Sequence, residues 1–113
     1  PAGTELFRAA QELGLQTAAE VFADRNYNSD GTLVSRTKPD ALLHDPSEAA
    51  ERVLRMLREG KICAVDGSDV RVQAETICVH GDTPGAVEFV RTLRSALEKE
   101  GVMLRAPQRM TKE

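Results

Sequence analysis

A chain of 113 residues with a formal net charge of −3 has room for one domain with a modest core, and its basic residues are scattered rather than gathered in a tract. That balance favours neither nucleic acid nor an anionic membrane as a partner. Hydrophobic residues at 41% and charged residues at 29% suit a soluble globule, while no Trp, one Tyr and three Phe leave little for base stacking or an aromatic-lined sugar site.

No apolar run approaches the length that crosses a bilayer. The sequence opens without a charged segment followed by an apolar one, so it reads as lacking a signal peptide and as cytoplasmic. It starts at Pro1 rather than Met, which leaves open processing, trimming or membership of a longer polypeptide. Cys63 and Cys78 each lie in an apolar, strand-like run, and the expectation is two reduced, buried thiols. No CxxC pair and no His/Cys cluster at zinc spacing occurs.

Thr4 caps a predicted helix over 5–13, with Leu6, Phe7, Ala10 and Leu13 on one side and Gly14 as its stop. A strand is predicted over 15–22. The polar stretch 26–45 reads as a long loop with turn chemistry at Asn28-Ser29-Asp30-Gly31 and an extended piece over 32–34. Ser47 is the expected cap of a second helix, whose stripe is Ala50, Val53, Leu54 and Leu57, and Gly60 ends it. A strand over 61–65, the turn Asp66-Gly67 and a return over 69–72 make a hairpin. A buried strand over 76–79 follows, then a helix over 86–99 with Val87, Val90, Leu93 and Leu97 at helical spacing. Residues 102–104 read as one more strand, and the polar tail 105–113 as frayed. Helices alternating with apolar strands point to an α/β fold with parallel strands.

Two groups of chemistry-bearing residues fall at predicted strand ends, which face the active side of α/β sheets and barrels. The first is Glu20, Asp24 and Arg25, with Tyr27 just beyond; the second is His80 with Asp82. A His beside carboxylates can act as general base, metal ligand or substrate anchor. Each has a plainer reading. His80 would merely bond a loop, Asp82 or Thr83 would cap the following helix, and Asp24-Arg25 would be a partly exposed ion pair. Glu20 in an apolar run needs a partner or a chemical reason. His44, in a polar segment, reads as solvated.

Glu20-Val21-Phe22-Ala23-Asp24-Arg25, Tyr27, Asp30-Gly31, Leu33-Val34 and Arg36, followed by Ala74-Glu75-Thr76-Ile77-Cys78-Val79-His80-Gly81-Asp82, resemble two signatures of the LamB/YcsF family in their order. Asn26 and Ser35 depart from residues common there. The resemblance runs to about Leu104 and corresponds to the C-terminal part of a longer family sequence, whose Asp-, His- and Gly-rich N-terminal motifs do not occur here. It implies the C-terminal portion of a seven-stranded (β/α) barrel-like fold of the glycoside hydrolase/deacetylase type, spanning 1–104.

The family is described as the A subunit of ATP-dependent 5-oxoprolinase. The implied activity is opening of 5-oxoproline to glutamate with ATP hydrolysis, together with subunits B and C. His80 and Asp82 would be catalytic, and Glu20, Asp24, Arg25 and Tyr27 would bind substrate. No phosphate-binding Gly loop occurs, so ATP contacts would come from elsewhere. A divalent metal is compatible with the residues, but no ligand set is identifiable. A partial barrel would also associate, with itself or with its missing half. The alternatives are a non-catalytic fragment or interaction module, and a carbohydrate or lactam hydrolase of the same barrel type.

Overall fold

Proline at the first helical turn, preceded by an acidic cap, starts the helix on which the rest is built. The computed structural model describes residues 1–82 and 84–107. Its elements are α1 (Glu5–Glu12), β1 (Glu20–Phe22), α2 (Pro46–Glu59), β2 (Lys61–Cys63), β3 (Asp69–Arg71), β4 (Thr76–Cys78) and α3 (Ala86–Lys99). The cap of α2 is Asp45, whose Oδ1 accepts from the Ser47 backbone N–H at 2.9 Å. Ser47 is therefore already inside the helix, because Pro46 takes the first helical position. Gly60 ends α2 in the left-handed region at φ 66°, where a Cβ would also come to 3.5 Å from the Val72 carbonyl oxygen.

β1 and β4 pair in parallel, with Glu20 opposite Thr76, Val21 opposite Ile77 and Phe22 opposite Cys78. The ladder extends one step further, where the Ala23 N–H donates to the Cys78 carbonyl at 3.1 Å. Carried two residues on, this register sets Asp24 beside His80. β2 and β3 form the antiparallel hairpin expected around Asp66-Gly67. The α/β class with a parallel pair is thus present, as one parallel pair and one hairpin among the described residues.

The core has two parts. Ala49, Ala50 and Val53 of α2 meet Leu93 and Leu97 of α3 and Ala23 at the end of β1. Met56, further along α2, meets Val21, Tyr27 and Ile62 on the other side. Both helix stripes are rotated from the predicted ones. Met56 is buried in place of the predicted Leu57, which is 41% exposed. On α3, Phe89 packs against the core, while Val87 and Val90 are exposed. The cause is the composition: several apolar residues lie on neighbouring faces, and only the position of the sheet decides among them.

Other expectations shift as well. The strand predicted over 15–22 is only three residues long, because pairing with β4 begins at Glu20. Residues 102–104 form no strand, since no strand lies beside them to complete a ladder. Gly85, not Asp82, is the cap residue of α3; Thr83 lies outside the described residues, as do 108–113 of the predicted frayed tail. Cys63 is exposed, because β2 turns only Ile62 inward, and Cys78 is half-buried on the other sheet. Both are free thiols, and burial raises the pKa of the Cys78 thiol.

The predicted apolar stripe on α1 has no core to meet. None of its residues is buried, Leu6 is 82% and Leu13 79% exposed, and α1 packs against no other element. No helix among the described residues is long and apolar enough to cross a membrane.

Candidate functional site

The long polar segment after β1 is stitched to that strand by its backbone. The Leu43 N–H donates to the Asp24 carbonyl at 2.8 Å, the Asn26 N–H to Ala41 at 3.0 Å and the Val34 N–H to Asn26 at 3.0 Å. Isolated bridges join Arg25 to Leu42 and Tyr27 to Leu33. These bonds satisfy polar backbone that a buried, unpaired loop could not. They also fix Asp24 from its main chain before its side chain is considered.

The Asp24 carboxylate is buried and makes three close contacts with one residue. Oδ2 accepts from the His80 backbone N–H at 2.8 Å, and His80 Nδ1 lies 2.9 Å from Oδ2 and 3.0 Å from Oδ1. An ionised carboxylate only accepts, so Nδ1 carries the proton and donates. In the neutral imidazole this leaves Nε2 with the free lone pair, the form of a general base. The ring is held from one face by Phe22, with centroids 5.8 Å apart and planes within 11°. Backbone bond, ring bond and stacking together leave His80 little freedom.

A cavity of about 210 Å³ opens at this pair. Asp24, Val79 and His80 line it from the strand ends, Leu42, Leu43 and His44 from the stitched segment, and Glu88, Phe89 and Thr92 from α3. It is mainly apolar with a few converging polar groups, as small-molecule sites usually are. No Lys or Arg is among its described lining residues. Its size and apolar walls suit a small, partly apolar molecule. Among the described residues, no three His, Cys, Asp or Glu side chains are arranged to hold a metal ion.

The residues singled out from sequence are not all together. Asp24 and His80 are joined. Asp82 is exposed beyond them, 4.0 Å from Arg36. Glu20 is half-buried at the start of β1, near enough to Tyr27 and Cys78 for its charge to push both pKa values up. Arg25 is buried, donating from Nη2 to the Val34 carbonyl at 2.6 Å. Arg52 reaches the Arg25 carbonyl at 2.9 Å. Arg25 Nε and Arg52 Nη1 are buried without a hydrogen-bond partner, and neither guanidinium is in an ion pair among the described residues. These two arginines brace the segment behind Asp24 rather than line the cavity.

Tyr27 belongs to the core, where its hydroxyl accepts from the Phe22 N–H at 2.9 Å. Burial pushes its phenol above the ordinary value of 10.0. The protonated phenol thus contributes stability that is complete below that ordinary value and is lost as pH rises through the higher folded-state value. Tyr27→Phe is expected to cost about 1–2 kcal/mol, because the Phe22 donor is left unsatisfied. It should also remove that alkaline loss of stability, as urea unfolding at neutral and alkaline pH would show.

His44, expected to be solvated, is indeed exposed, but it also lines the cavity. The signal available in the sequence is its place directly before the Asp45-Pro46 helix start, a position that fixes its backbone.

The LamB/YcsF family profile matches residues 1–112. The 5-oxoprolinase A subunit of Paracidovorax citrulli is 56% identical over 104 residues, a match covering 92% of this chain and 41% of that protein. The corresponding protein of Oceanobacillus iheyensis, which bears the same name, is 52% identical over 103 residues, covering 91% and 40%. A crystal structure of the lactam utilization protein from Thermus thermophilus superposes with a TM-score of 0.86 at 43% identity, covering 94% of this chain and 42% of that one. The chain spans about two fifths of the length of these relatives. With a match across nearly its whole length, the chain belongs to the LamB/YcsF family.

Proposed function

We propose that this chain carries the acid–base half of a site that opens the lactam ring of 5-oxoproline to give glutamate, within an ATP-dependent 5-oxoprolinase. The observation that carries the reading is the Asp24–His80 pair at the ends of adjacent parallel strands, lining a small cavity. Asp24 holds the Nδ1 proton and orients the ring. His80 Nε2 takes a proton from the water that attacks the lactam carbonyl carbon and returns it to the ring nitrogen as the C–N bond breaks, which leaves the free amine and carboxylate of glutamate. Leu42, Val79 and Phe89 receive the ring methylenes. Arg25 and Tyr27 act at one remove, by fixing the segment that carries Asp24, and Glu20 only through its charge near Tyr27. Asp82, exposed and 4.0 Å from Arg36, lies outside the cavity lining and is given no part in this proton transfer.

A lactam is a poor electrophile, which explains why such a reaction would be coupled to ATP. With no Lys or Arg among the described lining residues of the cavity, the nucleotide is assigned to the rest of the polypeptide or to its partners. The relatives are named as one subunit of a 5-oxoprolinase, which supports an assembly, here taken to include subunits B and C. The unaccompanied parallel pair and the bare face of α1 support completion of a barrel by the remainder of a family-length polypeptide.

The test is phosphate release that depends on 5-oxoproline, measured for this chain alone and for a family-length relative with its partner subunits. The expected result is coupled release from the assembly and none from the chain alone. An assembly that binds 5-oxoproline yet forms no glutamate would overturn the reading.

A further inference from the structure

His44 lines the cavity from a pinned stretch of backbone, and its ring has no partner among the described residues. Its chain is pinned on both sides. The preceding Leu43 N–H donates to the carbonyl of Asp24, the same residue whose side chain orients His80. The following Asp45 caps α2. Two imidazoles therefore line one cavity and are positioned from a single residue, one through its carboxylate and one through its carbonyl.

Their chemistry differs. His80 Nδ1 is committed to Asp24, and the pair together bears little net positive charge for an anion. No hydrogen bond or ion pair occupies the ring of His44 among the described residues. The remaining charged groups around it are carboxylates: Glu88 from α3, Asp24 from the end of β1 and Asp45 beside it on the chain. With no Lys or Arg among the described lining residues, the ring of His44 offers an entering anionic group a hydrogen-bond donor that need not give up another partner.

We infer that His44 is the specificity residue of this cavity, reading the carboxylate of a small lactam acid while His80 faces the ring amide. The inference rests on the lactam reading above and adds the group that separates an acid from a neutral lactam. A neutral lactam of the same ring size, 2-pyrrolidone, should fill the apolar part of the cavity but leave His44 without a partner.

The experiment is a titration of an isotope-labelled family-length relative with 5-oxoproline and, separately, with 2-pyrrolidone, read at the ring signals of the histidines equivalent to His44 and His80. Expected is preference for 5-oxoproline over 2-pyrrolidone by about tenfold, the scale of one charge-assisted hydrogen bond. That preference should vanish in the variant equivalent to His44→Gln. His44 is exposed, so the variant should keep the fold, and unchanged His80 signals verify it. If His44→Gln retains the preference, the role of His44 is overturned while the lactam reading stands. If neither compound moves the His80 signals of the unsubstituted family-length protein, the lactam reading falls, and the role of His44 with it.

Discussion

Asp24→Asn is expected to leave the fold in place and to lower turnover through His80 by about 10³–10⁴-fold, the loss seen when a carboxylate that sets a catalytic imidazole becomes an amide. The amide oxygen can still accept from the His80 backbone N–H, which now goes to Oδ2 at 2.8 Å. That oxygen, 2.9 Å from Nδ1, can also accept the ring proton, but the amide nitrogen then stands where Oδ1 lies 3.0 Å from Nδ1, donor against donor. The tautomer that leaves Nε2 free is held less firmly, and the negative charge that stabilises the imidazolium formed on proton transfer is gone. Asp24→Ala is different in kind. It leaves a part-buried N–H without a partner and should cost about 1–3 kcal/mol of stability as well. The two variants separate orientation from scaffolding: urea unfolding should distinguish them, and turnover of the reconstituted enzyme should not. Equal turnover in Asp24→Asn and the unsubstituted protein would mean that His80 does not act through this bond.

Leu97→Ala should be the most damaging core substitution. Leu97 is 1% exposed, on the face of α3 that packs against Ala49, Ala50 and Val53 of α2. Small residues on the facing helix cannot collapse into the space left behind. Truncation of a buried Leu costs about 2–5 kcal/mol, a large part of the roughly 5–15 kcal/mol that holds a domain folded. The effect should reach the site, because α3 supplies Glu88, Phe89 and Thr92 to the cavity wall. The expected result in denaturant is a midpoint lowered by that amount, or a chain unfolded without denaturant. A change below about 1 kcal/mol would mean that the two helices are not the packed core of the chain.

Local chemistry makes much of this architecture legible. Thr4, Gly60 and Asp66-Gly67 are residues whose preferences are set within a few positions, and each does what its type suggests. The α3 bounds over 86–99 follow from the helical run that starts after Pro84-Gly85. What depends on distant partners is not legible in the same way. Whether Met56 or Leu57, and Phe89 or Val90, faces inward is decided by where the parallel pair lies, and helical periodicity alone cannot choose. The cap at Asp45 instead of Ser47 is within reach of the sequence, since Pro46 prefers the first helical position.

The site divides along the same line. Residue type and spacing place Asp24 and His80 at strand ends, but their contact comes from a register that only pairing reveals. The core role of Tyr27 is hidden from the sequence, because its hydroxyl bonds a backbone N–H five residues back rather than a side chain. His44 escapes notice because a polar neighbourhood in sequence says nothing about which cavity the folded segment borders. Composition and spacing locate the candidates, and the backbone hydrogen bonds of the 26–45 segment decide which ones meet.

His80, oriented by Asp24, is assigned the removal of a proton during lactam opening, and one kinetic measurement bears on that assignment without intermediates. It is the rate of glutamate formation from 5-oxoproline and ATP by a family-length relative with its partner subunits, carrying the substitution equivalent to His80→Ala and folded as judged by unfolding in urea. A positioned general base contributes at least about 10²-fold, so kcat should fall by that much or more, with 5-oxoproline still bound. Turnover within about twofold of the unsubstituted enzyme, well short of a general base's contribution, would show that His80 is not the base.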